Sequence, residues 1–295
     1  MSGREHPDGY TSYDGIGYER LSLSAWRVMV RELIDYWELI RRLVIRNIAG
    51  QFRQSFLGYI WIMLPPIATT VVFSVLQKAR VVNIEMPEGS MPYAIFALLG
   101  MTVWGYFTQL TMMATTSISN AGGLVSKIYF PREVLVLSAV GNAIVNFLIR
   151  LVVVVLTFLL LQYAPHWEIV YYVVLLIPFT LLGVGLGLLL APINTMMNDV
   201  GRLMEFAFQF GMFLAPTVYP TPDIATANDT WQSLLFWAHQ INPVSHYLYA
   251  AHELVQHGTL TFGPGLQAAV ILSFLVFLVG WRFFHAIEPL LAERV

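Results

Sequence analysis

The residues best equipped for chemistry lie in the last third of the chain, where His239, His246, His252 and His257 fall close together. Two of them frame the stretch HELVQH, which looks like the helical pattern of a zinc protease. That pattern needs its histidines at i and i+4, about 40° apart on one helix face. Here the spacing is i, i+5, about 140° apart, and the two imidazoles do not meet at one ion. The four histidines read as interfacial polar residues, and no metal site is expected on this chain. The chain has no cysteine, which removes disulfides, thiol catalysis and Cys-based metal sites. GVGLG at Gly183 to Gly187 echoes part of a dinucleotide fingerprint but lies in an apolar run. Gly183 and Gly187 have the G-x-x-x-G spacing that lets helices pack closely. A phosphate-binding loop requires Gly-Lys, a dipeptide that never occurs here, so any ATP hydrolysis belongs to another chain.

Three other groups of residues could carry function. Carriers driven by protons or sodium bury Asp or Glu at mid-membrane, and the apolar runs here hold none. Arg150 is the one ionisable residue at depth. It either contacts an anionic substrate or a partner helix, or it is structural, bonded to backbone carbonyls or snorkelling through water. Aromatics crowd three runs, with Tyr59, Trp61, Trp104, Phe206, Phe210, Phe213 and Tyr219 the candidates to line a path. Their rings would suit the C–H faces of sugars; alternatively they are interfacial anchors and packing. The stretch VSKIYFPREV sets Lys127, Tyr129, Phe130, Pro131, Arg132 and Glu133 between two of the most apolar runs. Aromatic and Arg residues around a fixed bend suit docking to another protein; the plainer reading is a charged loop kept in water.

The elements that must position these residues are membrane spans. The composition is 57% hydrophobic and 12% charged, which marks a membrane protein. A span takes about 20 apolar residues. Six are expected, near Phe56–Gln77, Tyr93–Ser117, Val134–Tyr163, Val170–Ile193, Leu203–Pro220 and Pro264–Phe284. Thirteen of the sixteen Lys and Arg residues precede the first span or lie on its side, so both termini are expected in the cytoplasm. Residues 1–24 are polar without an apolar core and read as a mobile tail rather than a signal peptide. Residues 25–55 hold an amphipathic stretch carrying Trp37, Arg41, Arg42 and Arg46, with Glu38 spaced to pair with Arg41 and Arg42. It reads as a helix in the cytoplasmic interface. Residues 56–295 form the six-span body. Pro65-Pro66 should kink span one. Trp231 to Gln256, split at Asn242-Pro243, reads as two short helices dipping into the outer interface, a re-entrant hairpin between spans five and six. The fold class is an all-α membrane protein. No basic tract points to nucleic acid.

YFPREV before span three resembles the cytoplasmic coupling segment of type-2 ABC transporter permeases, in particular their polysaccharide-export branch. QFRQSFLGYIWIMLPPI at Gln51 to Ile67, NTMMNDVGRLMEFAFQFGMFLAPTVYP at Asn194 to Pro220, INPVSHYLYAAHELV at Ile241 to Val255 and FFHAIEPLLAERV follow in the same order. The likeness runs from about Leu39 to the C-terminus, although NTMMNDVGR is less basic than is usual for that loop. It implies the transmembrane subunit of an exporter of lipid-linked O-antigen, capsule or teichoic acid, in a bacterial cytoplasmic membrane. It implies a homodimer, two copies of a separate ATPase that carries ATP and Mg²⁺, and no catalysis on this chain. Lys127, Tyr129, Phe130, Pro131, Arg132, Glu133, Asn198, Asp199 and Arg202, with the interface helix, would seat on the ATPase. Asn242, Pro243, His246 and Tyr247 would form the external gate. Two competing readings are a type-2 exporter of a drug or small lipid, and a membrane-embedded transferase built on His246 and His252.

Overall fold

A computed structural model describes residues 25–51, 53, 55–82, 84, 86, 89–121, 130–197, 199–221 and 230–292. The expected tail, residues 1–24, lies outside them, as do Lys127, Tyr129 and Asn198. Among the described residues there are eleven α-helices and no strand. They are α1 (Ala25–Asp35), α2 (Trp37–Gln51), α3 (Ile60–Lys78), α4 (Tyr93–Thr115), α5 (Ser117–Ala121), α6 (Glu133–Leu160), α7 (Tyr172–Met196), α8 (Asp199–Gly211), α9 (Thr230–Ile241), α10 (Pro243–His257) and α11 (Pro264–Ala292).

Five helical segments are long and apolar enough to cross a membrane: α3, α4, α6, α7 with the 3₁₀ turn before it, and α11. The chain is a multi-pass membrane protein. The expected span at Leu203–Pro220 takes another form. Helix α8 ends at Gly211, a three-residue 3₁₀ turn follows, and Ala215 is extended at φ −140° and ψ 151°. Pro216 supplies the reason, because a residue before proline is driven out of the helical region. The interface stretch expected as one helix is two, α1 and α2. The turn at Tyr36 is slight, since Tyr36 N–H still bonds Glu32 O and Ile40 N–H bonds Tyr36 O, both at 3.0 Å.

The core lies between α4, α6, α7 and α10. Phe179, Tyr247, Leu110, Leu248 and Leu254 are completely buried there. The GVGLG stretch sets the helix spacing. A Cβ on Gly183 would lie 2.8 Å from Leu110 of α4, and one on Gly187 only 2.3 Å from Ala114 of the same helix. Gly185 faces the other way, where a Cβ would sit 2.6 Å from the backbone of Phe277 in α11. One short glycine run thus admits two neighbours on opposite faces of α7, the close approach that small residues permit.

Candidate functional site

The prolines of α3 explain where Arg150 goes. Pro66 has no N–H, so the carbonyl four residues back, on Ile62, is left without its helical donor. Arg150 Nε on α6 donates to that carbonyl at 3.3 Å. Its guanidinium also lies against Gly105 of α4, where a Cβ would sit 2.8 Å from Nη1. The arginine therefore joins α3, α4 and α6, which favours the carbonyl-bonding reading.

The predicted coupling residues divide into buried and exposed groups. Phe130 is buried with Ile40 and Leu43 of α2 and with Val134 and Leu135 of α6. That contact seats the amphipathic helix, as does Val44, which fills the space beside Gly141. Glu133 begins α6 and is almost wholly buried. Its Oε1 is 3.0 Å from Nδ1 of the equally buried His285 on α11. Next to it, the backbone N–H of Arg132 donates to Glu288 Oε1 at 2.8 Å, and the Arg132 side chain is buried. Glu32 of α1 brings its carboxylate to the same place. One ligand atom each from Glu32, Glu133 and His285 lies within 4.8 Å of the others. That donor set could hold a divalent cation, and it also works as a buried knot closed by the Glu133–His285 hydrogen bond. Sequence reasoning singled out Glu133 but missed Glu32, His285 and Glu288. The partners lie about a hundred and a hundred and fifty residues away, where no local pattern joins them.

The other predicted coupling residues among those described, Pro131 apart, are exposed. Asp199 and Arg202 at the start of α8 pair at 3.4 Å and stand almost fully in solvent. Asn194 anchors their loop: its Oδ1 accepts the Gly201 N–H at 2.8 Å and its Nδ2 donates to Ser119 at 3.2 Å. Trp37, Arg41, Arg42 and Arg46 line the outer face of α2, with Trp37 64% exposed. Arg42 and Arg41 reach Glu38 at 3.0 and 3.3 Å. The Arg42 hydrogen bond, reinforced by the Arg41 charge, holds the Glu38 carboxyl below its usual range. Pro131 is half-buried between the two groups.

The aromatic candidates also separate. Trp104 is buried against Phe107 and Phe208. Tyr59, Trp61, Phe206, Phe210 and Phe213 are exposed on the protomer. Leu203, Phe206 and Phe210 recur along one open stripe of α8. Helix α3 and the turn after α8 are neighbours, with the rings of Phe73 and Phe213 6.4 Å apart. Tyr219 bonds through its hydroxyl to the carbonyl of Phe213.

At the opposite end, α9 and α10 meet at Asn242. Its side chain caps α10 by accepting the Val244 N–H at 3.1 Å, with Pro243 in the first turn. Its amide donates to Leu214 O at 3.2 Å. With 12 and 15 residues the two helices are each too short to span, at about 18 and 22 Å. Helix α10 packs into the protein core. Tyr247 is fully buried with its hydroxyl 2.8 Å from Ser273, and its carbonyl accepts from Tyr172 at 3.2 Å. His252 stacks on Phe96 at 4.0 Å and bonds the Phe96 carbonyl at 3.1 Å. Burial lowers its imidazole to about 4, so it is neutral at physiological pH. His257 is exposed, so the two histidines of HELVQH lie in different surroundings.

Comparison with known proteins agrees with this arrangement. The sequence model described as ABC-2 type transporter matches residues 38–255. The O-antigen export system permease protein RfbA of Myxococcus xanthus is 25% identical over 268 residues, covering 90% of this chain and 99% of that protein. RfbA of Klebsiella pneumoniae is 20% identical over 258 residues, with 87% and 95% covered. The polysialic acid transport protein KpsM of Escherichia coli is 22% identical over 253 residues, with 84% and 93% covered.

Proposed function

The chain belongs to the ABC-2 type transporter family, and from that premise we infer that it is the transmembrane subunit of a polysaccharide exporter. One observation carries the reading. The likeness to an O-antigen export permease runs end to end, over 90% of this chain and 99% of the relative. The substrate is a lipid-linked polymer of the O-antigen or capsule kind. The protein sits in the cytoplasmic membrane of a bacterium with both termini inside, and α8 with its following turn serves as the sixth crossing.

Two copies of the chain enclose the path, with two copies of a separate ATPase beneath them. The exposed aromatics of α3 and α8 support this, because one protomer leaves Trp61, Phe206 and Phe210 uncovered. A two-fold assembly would bring such faces together around a pore. The ATPase carries ATP and Mg²⁺ and seats on the end where Asp199, Arg202 and the face of α2 stand in solvent. Phe130, Arg132 and Glu133 act behind that surface. They pass its movement to α2, α6 and α11, which they tie together, in a rigid-body switch. Asn242 and Tyr247 hold the external gate.

Deletion of the gene tests the reading. Lipid-linked polymer should accumulate on the cytoplasmic face, with surface polymer lost and restored by the plasmid-borne gene. Normal surface polymer in the deletion strain, with no polymer trapped inside, would refute it.

A further inference from the structure

The outer end holds a cavity of about 410 Å³ between α9, α10 and the start of α11. That volume falls in the range of about 300–1,000 Å³ typical of small-molecule sites. Among the described residues its wall contains no Lys, Arg, Asp or Glu. Thr221, His239, Gln240, Ser245, His246 and Thr261 supply its polar groups, and the rings of Phe236 and Tyr249 supply apolar faces.

Two of those polar groups are buried with an atom left over. His239 is 2% exposed, and its Nδ1 lies 3.0 Å from Thr221 Oγ1. Its Nε2 has no partner among the described residues. Ser245 is 3% exposed, and its Oγ also has none among them. Both atoms are closed off from the cavity, so the groups that meet a ligand are the side chains of Thr221, Gln240, His246 and Thr261 and the rings of Phe236 and Tyr249. Burial lowers the His239 imidazole to about 4, so the wall carries no charge there at neutral pH. The remaining wall is held in place. His246 Nε2 is bonded to Gln240 O at 2.9 Å, and Gly265 makes room for its ring, where a Cβ would lie 2.3 Å away. Thr261 is pinned by Glu253, whose Oε2 accepts its N–H at 2.9 Å.

We propose that this cavity is an outer-face subsite for one or two neutral sugar residues of the exported polymer, a proposal that rests on the export reading. The chemistry selects the ligand class. An anion would need a basic group and an ammonium a carboxylate, and the described wall has neither. An acyl chain would leave the hydroxyls of Thr221 and Thr261 and the amide of Gln240 against hydrocarbon. A sugar hydroxyl both donates and accepts, so it matches hydroxyl, amide and imidazole groups alike. The pyranose C–H face stacks on a ring such as Tyr249, which is 57% exposed.

The test is saturation-transfer NMR on the full chain in lipid nanodiscs. The probes are the methyl glycosides of glucose, galactose, mannose and N-acetylglucosamine, with glucuronate as the charged control. Transfer to at least one neutral glycoside is expected, with none to glucuronate, and at least a fivefold fall in both Gln240→Ala and Tyr249→Ala. Both side chains are exposed, so these variants leave the packed core unchanged. No transfer to any neutral glycoside, equal transfer in the foldable variants, or equal transfer to glucuronate would overturn the subsite. Surface polymer is scored separately in cells. Normal export without glycoside binding sinks the subsite alone, whereas polymer that reaches the surface without this chain sinks the export reading.

Discussion

At one end of the molecule Glu133 meets His285, the Arg132 backbone meets Glu288, and Glu32 closes in beside them. At the other end His252, Tyr172 and Tyr93 each bond a backbone carbonyl, on Phe96, Tyr247 and Val218. The two solutions behave differently. A neutral side chain on a carbonyl holds its geometry whatever charges approach. A buried ionic knot depends on every member, and charges brought by a partner can bias it. The ionic end joins α1, α6 and α11, three elements distant in the chain and next to the surface proposed for the ATPase. The neutral end joins α4, α7, α10 and α11. The difference fits a transporter that receives its signal at one end and must stay sealed at the other.

The comparison breaks most clearly at Glu133. Glu133→Ala removes the carboxylate that bonds the buried His285 imidazole and should destabilise the fold by about 3–5 kcal/mol. The double variant Glu133→Leu/His285→Leu should recover most of that loss. Thermal unfolding in nanodiscs measures both, and equal losses in the single and double variants would mean that the pair is unimportant.

The neutral end should respond to acid. The folded imidazole of His252 is depressed to about 4, below an unfolded value near 6.5. Above pH 6.5 both states are neutral and the stability is complete. As pH falls through 6.5 the unfolded state takes a proton that the folded state refuses. His252 alone should take about 2 kcal/mol from the stability between pH 7 and pH 5. Unfolding midpoints across that range should fall, and the fall should be shallower in His252→Phe.

Smaller effects follow. Asn242→Ala removes the cap of α10 and should cost about 1 kcal/mol, again read from the unfolding midpoint. Glu38→Gln lies on the exposed face of α2 and should leave the midpoint unchanged, because exposed pairs contribute little. A drop in export without a drop in stability there would assign α2 a docking role.

Local chemistry in the chain was legible and distant pairing was not. The glycines of GVGLG announced close helix packing, and they lie against Leu110, Ala114 and Phe277. The pattern of α2 announced a half-buried helix, and Ile40 and Leu43 are its buried residues. Hydropathy drew a span over Leu203–Pro220 without marking where its helix ends, which the effect of Pro216 on Ala215 decides. YFPREV reads as a surface segment by composition. Phe130, Arg132 and Glu133 are buried because their partners are supplied from α1, α2 and α11, and no window of sequence contains both halves. The neutral cavity beside Ser245 is assembled in the same way from three separate helix ends.

The most direct measurement of the central claim uses inverted membrane vesicles containing this chain and its ATPase, loaded with radiolabelled lipid-linked polymer on the outward, cytoplasmic leaflet. If the chain is the membrane subunit of a polymer exporter, ATP drives the polymer into the lumen, where added glycosidase cannot reach it. Protection should vanish without this chain and without hydrolysable nucleotide. Protection that develops equally without ATP, or in vesicles that lack the chain, would contradict that role.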